Sequence, residues 1–369
     1  MTSPKVRVLV VDDSALVCEL ITDCLNSTSD IEVVGTAPDG LEALKMLHQV
    51  RPDIVTLDVE MPRLGGLETL DRMLARRPIP VIMVSSLTQV GATTAFDALA
   101  RGAVDYVPKP QGLKSMTDDF AHELTRKIRL MAGADVGRLL EIRKARKKRL
   151  KTSRPARPLP AAAEDLYLDD KCIAIGISTG GPPALSELFS GLHRPMPPIV
   201  VVQHMPPGFT TAFAWRLDSI ADLSVKEAVS GDVLQPNHVF IAPGGKHLEL
   251  HPSGQKAIIR IRDGETVSGH RPSVDVMMHT AARIYKDRCL GVVMTGMGRD
   301  GADGCKEIRD AGGYVLGQDE ATSDVYGMNK VAWAEGGVDR QFRLGDAADE
   351  IRKAVQQRWA NARAMAGGR

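Results

Sequence analysis

Short apolar runs alternate with longer amphipathic stretches from residue 5 to residue 130: VRVLVV, ALVCELITDCL, IEVVGTA, GLEALKMLHQ and DIVTLD follow one another. The short runs have strand length and the longer ones read as helices, which predicts a β-α-β-α series wound into a parallel sheet. Residues 138–157 break the rhythm, with ten Lys and Arg against one Glu, and run into PARPLPAAAED. LLEIRKARKKRL reads as a helical extension, and the remainder as a flexible Pro/Ala-rich linker. At KCIAIGIS a second strand-loop-helix rhythm starts and continues as far as residue 360. Within it, VFIAPGGKHLELHPSGQKAIIRI predicts three short strands with PGG and PSG turns, an antiparallel ribbon on the main sheet. The expected class is α/β: two doubly wound parallel-sheet domains over 1–130 and 169–369, joined by a basic then Pro/Ala-rich linker over 131–168.

Composition narrows the picture. The chain of 369 residues is 43% hydrophobic and 25% charged, as expected of a soluble globular protein of two or three domains. Aromatics are only 4%, so the cores must be built mainly from Val, Ile, Leu, Ala and Met. A formal net charge of +1 gives no global argument for nucleic acid or a membrane surface as partner. Five scattered cysteines (Cys18, Cys24, Cys172, Cys289, Cys305) have no metal-type spacing and read as reduced thiols of a cytoplasmic protein. MTSPKVRVLVVDDS meets aspartates too early for a signal sequence, and no apolar run approaches the roughly 20 residues of a membrane span, so no direct membrane insertion is expected.

Four strand ends of the first domain carry candidate chemistry: Asp12 and Asp13 after VRVLVV, Asp58 after DIVTL, Ser85 after VIMV, and Lys109 after VDYVP. In an open parallel sheet such positions converge on one crevice. Three carboxylates meeting there repel unless a hard cation neutralises them, and Mg²⁺ with oxygen ligands from Asp13, Asp58 and Asp12 fits. One carboxylate is then free to attack phosphorus and form an acyl phosphate, with Lys109 as fixed positive charge and Ser85 as hydroxyl donor. Pro110, next to the lysine, suits a cis peptide that aims it. Each aspartate alone also reads as a loop residue or helix N-cap, and only the four matching ends favour the pocket. The set DDS, LDVEMP, VSS and KP resembles two-component receiver domains over residues 5–125. The resemblance implies a flavodoxin-like fold and phosphorylation of Asp58 by a histidine kinase, with Asp12 and Asp13 assisting the metal. Tyr106 matches the aromatic switch position of that family, with plain packing as its other reading.

In the second domain IAIGI ends in STGGPPAL at Ser178, PIVVVQ ends at His204, and CLGVVMTGMGRD carries Asp300 past its strand. A serine hydroxyl is a poor nucleophile until an imidazole takes its proton, and that imidazole needs a carboxylate to fix its tautomer. Ser178, His204 and Asp300 therefore form a complete candidate triad. Amides at Thr179 and Gly180, and in the TGMG turn with Met297 and Gly298, are candidate oxyanion donors. Rival readings stand beside these: an N-cap or phosphate loop at Ser178, a packed histidine at 204, and an N-cap at Asp300. GISTGG lacks the full G-x-G-x-x-G spacing, which leaves nicotinamide binding poorly supported.

IGISTGGP, VVQHMPPGFT, HRPSVDVM and TGMGRDGADG resemble the catalytic domain of chemotaxis protein-glutamate methylesterases over residues 170–335. With the receiver, the resemblance covers nearly the whole chain and implies a Rossmann-like second domain. It implies Ser178 as nucleophile, His204 as general base and Asp300 as its orienter, with no catalytic metal in this domain. Arg271, Pro272, Ser273 and Asp275 are read as shaping or packing the cleft rather than as chemistry. Ile177 stands where the family often has a small residue, and Asn329 where proline is common. The implied activity is hydrolysis of glutamate methyl esters on methyl-accepting chemoreceptors, releasing methanol, with deamidation of receptor glutamines. A chemotaxis histidine kinase is the implied phosphodonor, and the receiver is expected to inhibit the catalytic site until Asp58 is phosphorylated. A DNA-binding regulator is the first rival, but the second half shows a βα rhythm rather than a small helix-turn-helix module. A catalytically silent, phospho-gated adaptor is the other, and the intact triad residues argue against it.

Overall fold

The computed structural model describes residues 4–86, 88–109, 118–152, 168–254 and 256–360. Pro110, the Pro/Ala-rich part of the linker and the C-terminal residues 361–369 lie outside the described residues. Two compact units result, residues 1–145 and 146–369. No described helix is long and apolar enough to cross a membrane.

The first unit runs β1 (Val6–Val11), α1 (Ala15–Asn26), β2 (Ile31–Ala37), α2 (Gly40–Val50), β3 (Ile54–Asp58), α3 (Gly66–Arg76), β4 (Val81–Ser85), α4 (Gln89–Arg101), β5 (Asp105–Pro108), α5 (Asp118–Met131) and α6 (Val136–Thr152). The strands are ordered β2-β1-β3-β4-β5 and pair in parallel. β3 and β4 are buried along their whole length, which explains why they read as unbroken apolar runs rather than alternating ones. Side-chain caps start four of the helices: Ser14 accepts from the Val17 amide, Asp39 from Leu41 and Glu42, Thr88 from Gly91, and Asp135 from Arg138. Residues 131–145, assigned above to the linker, pack in this unit instead, and the last part of α6, from residue 146, falls to the second unit. The reason is visible at α6: Arg143 donates to the carbonyls of Leu99 (2.7 Å) and Ala103 (3.3 Å) at the end of α4. Carbonyls in a helix's last turn lack intrahelical donors, and this arginine supplies one.

The second unit runs β6 (Cys172–Ile177), α7 (Gly181–Gly191), β7 (Ile199–Gln203), α8 (Phe209–Asp218), β8 (Ser224–Glu227), β9 (His238–Ile241), β10 (His247–Ser253), β11 (Lys256–Arg262), α9 (Val274–Tyr285), β12 (Cys289–Val293), α10 (Ala302–Asp310), β13 (Tyr314–Gln318), α11 (Met328–Ala334), β14 (Arg340–Phe342) and α12 (Ala347–Val355). Seven strands form a parallel sheet in the order β14-β13-β12-β6-β7-β9-β8. β10 and β11 form the antiparallel ribbon. The expected three-stranded ribbon is thus corrected: its first strand, β9, lies in the main sheet, parallel to β7 and β8. HVFI is buried at three successive positions and needs cover on both faces, whereas β10 and β11 alternate toward solvent. β6, β7 and β12, the strands that deliver the candidate triad, are buried throughout.

Candidate functional site

In each unit the candidate residues gather at the carboxyl ends of the parallel strands, beside the point where the strand order reverses and where open α/β sheets bind ligands. In the second, Ile177 at the end of β6 is in register with Gln203 at the end of β7. Ser178 and His204 therefore leave neighbouring strands side by side, and the His204 amide donates to the Ile177 carbonyl at 3.2 Å. Ser178 opens a tight turn in which the Gly181 amide donates back to its carbonyl at 2.8 Å. Gly180 in this turn has φ 79°, and a Cβ there would lie 2.6 Å from that of Asp324. Both facts call for glycine. Gln203 fastens the two residues together, its Nε2 donating to the carbonyls of Ser178 (2.9 Å) and His204 (3.1 Å).

Asp300 arrives beyond the third strand, β12, and is fully buried. Four donors converge on its carboxylate: His204 Nε2 at 2.7 Å, Ser273 Oγ at 2.8 Å, and the amides of Val274 (2.7 Å) and Asp275 (3.0 Å). Two of them are first-turn amides of α9, where the helix dipole favours an anion. Burial pushes the Asp300 carboxyl up, but the hydrogen bond and charge of His204 and the two amides outweigh it and hold it below the usual carboxylate range. An ionised Asp300 only accepts, so Nε2 is the donor of this bond, and in a neutral imidazole the lone pair falls to Nδ1. That Nδ1 is buried and has no hydrogen-bond partner among the described residues. No hydrogen bond joins it to the Ser178 hydroxyl in this structure. His270 stacks on the His204 ring, centroids 3.7 Å apart and planes 9° from parallel.

The candidate oxyanion loops lie against each other. Thr295 Oγ1 donates to the Thr179 carbonyl (3.0 Å), and the Ser178 amide donates to the Thr295 carbonyl (3.0 Å). Thr179 and Gly180 thus face the turn that carries Met297 and Gly298. Neither the Gly180 nor the Gly298 amide has an acceptor among the described residues. Behind the turn, the departure at Asn329 has a function of its own: Nδ2 donates to the Gln318 carbonyl and Ser323 Oγ, both at 2.8 Å, which proline cannot do. Ile177 is fully buried in β6.

In the first unit Asp12, Asp13 and Asp58 bring carboxylate oxygens within 4.8 Å of one another. These are hard oxygen donors of the kind Mg²⁺ takes, and they would have to draw together to reach its ligand distance of about 2.1 Å. Lys109 Nζ pairs with Asp12 (2.7 Å) and Asp58 (2.8 Å). Burial raises the Asp58 carboxyl above the usual range against the pull of Lys109, and the two carboxylates outweigh burial to raise Lys109. Ser85 lies at the expected strand end, but its hydroxyl donates to the Gly91 carbonyl (3.0 Å) at the start of α4. Tyr106 is buried, edge-on to Phe96 at 6.3 Å.

Two residues of the second site, Gln203 and His270, escaped the sequence reading, and a third, Ser273, was read only as shaping or packing the cleft. Gln203 had a signal, as the polar end of an otherwise apolar strand. His270 and Ser273 stand inside HRPSVDVM, but the reading of that motif as shape rather than chemistry gave them no contact with the triad. Ser273 in fact bonds Asp300 directly, because the start of α9 meets the loop after β12.

These folds and residues fit a response regulator whose output domain is an α/β esterase. Residues 8–120 match the response regulator receiver domain, and residues 173–351 match the CheB methylesterase family. A protein-glutamate methylesterase/protein-glutamine glutaminase of Pyrococcus abyssi is 43% identical, covering 96% of this chain and 95% of the relative. The protein of the same name from Salmonella typhimurium is 42% identical over 94% of this chain and 96% of its own length. The crystal structure of the Thermotoga maritima CheB methylesterase catalytic domain is 40% identical, covering 50% of this chain and 97% of that one, with a TM-score of 0.48. The chain belongs to the CheB family of protein-glutamate methylesterases/protein-glutamine glutaminases.

Proposed function

We propose that the protein hydrolyses glutamate methyl esters on chemoreceptors and deamidates receptor glutamines, with Ser178, His204 and Asp300 as its triad. The observation that carries this reading is the buried His204–Asp300 pair beside Ser178 at neighbouring strand ends, with one imidazole nitrogen left for a proton. Ser178 Oγ attacks the ester carbonyl as His204 Nδ1 takes its proton. Amides of the 178–180 and 296–298 loops hold the oxyanion of the tetrahedral intermediate. His204 returns the proton to methanol as it leaves, or to ammonia from an amide, and then activates the water that frees the glutamate.

In the receiver, a carboxylate oxygen of Asp58 attacks the phosphoryl group of a phosphohistidine donor on the chemotaxis kinase, and Lys109 stabilises the transferred oxygens. Asp12, Asp13 and Asp58 would hold Mg²⁺, which would neutralise the charge gathered there. The Ser85 hydroxyl leaves Gly91 to donate to the phosphoryl group. The receiver restrains the esterase until Asp58 is phosphorylated, as a two-state equilibrium biased by the new charge. Five free cysteines support a cytoplasmic setting.

The test is methanol release from methylated receptor membranes with and without acetyl phosphate and Mg²⁺. Release that rises on phosphorylation supports the reading; silence under every condition on competent receptors leaves the phospho-gated adaptor. Two local predictions accompany it. Gly296→Ala brings a Cβ to 2.8 Å from that of Ser178 and 2.4 Å from Met328 Sδ. It is expected to lower kcat by about 10- to 100-fold through displacement of the nucleophile, with phosphorylation of Asp58 unchanged. Because burial raises the Asp58 carboxyl, its attacking carboxylate form is lost on acidification earlier than an exposed aspartate's. Titration of the Asp58 carboxyl in the metal-free receiver, followed by ¹³C NMR, is expected at higher pH than the ordinary aspartate range; a midpoint within that range counts against this.

A further inference from the structure

Two helix starts in the second unit exchange carboxylates. Asp300, two residues before α10, accepts from Ser273, Val274 and Asp275 at the start of α9. Asp275, the second residue of α9, returns the favour: its Oδ1 accepts from the amides of Gly301 and Gly304, both at 2.9 Å, at the start of α10. The orphan amides of each first turn are thus satisfied by the acid of the other. Gly301, the residue after Asp300, has φ 94°, and a Cβ there would meet Val274 Cγ1 at 2.7 Å. The backbone that carries Asp300 therefore has one narrow path, and the Asp275 carboxylate is what holds its next amide on that path.

We propose that Asp275 is a positioning residue for the triad, setting the orientation of Asp300 toward His204 through the Gly301 and Gly304 amides; this rests on the triad reading above. A cap that served only α10 needs no partner acid facing back. Here the same turn of α9 holds Asp300 by two amides and a hydroxyl and holds its backbone by one carboxylate, so a shift of either helix moves the bond to His204. The surroundings divide the two acids. Asp275 faces Asp300, Asp303, Arg299 and Cys305, and Ser268 Oγ donates to its Oδ2 at 3.3 Å. Burial and the neighbouring acids push Asp275 up while the donors on Asp300 hold it down. A proton entering the pair goes to Asp275 and leaves Asp300 ionised for the imidazole.

The test uses the full chain, activated with acetyl phosphate and Mg²⁺. Asp275→Ala is expected to lower kcat by about 10- to 100-fold with little change in KM. It is also expected to move the acidic limb of the kcat/KM profile to lower pH, because a misplaced Asp300 supports the imidazolium less. Asp275→Asn keeps an acceptor for Gly301 and Gly304 and is expected to recover most of the rate and the limb. The low-field ¹H resonance of the His204 Nε2 proton should move upfield in Asp275→Ala and return in Asp275→Asn. Wild-type kcat and limb in Asp275→Ala, or equal loss in both variants with the limb and resonance unchanged, overturns the proposal. If Asp275→Ala does not fold, a wild-type resonance and limb in Asp275→Asn support the clasp and their loss overturns it. Ser178→Ala run alongside separates the failures: if it stays active the triad reading falls, and the resonance still decides the role of Asp275.

Discussion

Ser178→Ala is expected to lower methanol release from methylated receptors by about 10⁴- to 10⁶-fold, with Asp58 still phosphorylated normally. The size follows from what remains. Without the hydroxyl there is no acyl-enzyme, and only substrate binding and the oxyanion amides still favour hydrolysis by water. The alcohol is removed from a residue whose backbone is fixed by Thr295, Gly181 and Gln203, so the variant should fold as wild type. His204→Gln should fall nearly as far, and Asp300→Asn by about 10⁴-fold, because an amide at 300 misorients the imidazole. Ser178→Ala combined with Asp300→Asn should lose little beyond Ser178→Ala alone, since the three groups act as one unit. Equal activity of Ser178→Ala and wild type on the same receptors would falsify the triad.

Asp58→Asn is expected to remove activation by acetyl phosphate altogether while leaving the basal rate. The amide keeps the volume and the hydrogen bond from the Val59 amide, made at 2.7 Å in the native receiver, but has no carboxylate to attack phosphorus. Coupling free energies between sites are usually 1–3 kcal/mol, so wild type should gain about 5- to 150-fold on phosphorylation and Asp58→Asn nothing. The comparison needs saturating Mg²⁺, because Asp58 is also a candidate metal ligand. Deleting the receiver should raise the basal rate toward the activated one. If Asp58→Asn still responds to acetyl phosphate, another residue accepts the phosphoryl group; if receiver removal leaves the rate unchanged, restraint by the receiver is wrong.

Much of the site was legible because parallel strands buried on both faces have a plain signature. IVTLD, CIAIGI, IVVVQ and CLGVV are mainly apolar, so Asp58, Ser178 and His204 stand out at or just beyond the carboxyl ends of the first three, whereas Asp300 comes only after the loop that follows Val293. The same signature misled at HVFI, which lacked flanking helical rhythm and was grouped with the ribbon by its PGG turn. Register decided otherwise, pairing Ile199 with Val239 in the main sheet. Ser85 lay where expected but bonds Gly91, a choice of rotamer that no strand pattern encodes.

By itself the sequence determined the two parallel sheets, the strand ends that carry Asp12, Asp58, Lys109, Ser178 and His204, and Asp300 a few residues past its strand. These follow from a local rule: apolar runs become buried strands, and the polar residues that close them lie at their carboxyl ends. Only the tertiary structure decided that Asp300 offers its oxygens to α9 as well as to His204, that His270 covers the imidazole, and that Asp275 answers from the other helix. Those contacts join residues about 25 to 100 positions apart, such as Asp275 with Gly301 and His204 with Asp300. Their geometry is set by how α9 and α10 pack on the sheet, and a side chain's partner across that gap is a property of the packing rather than of any segment.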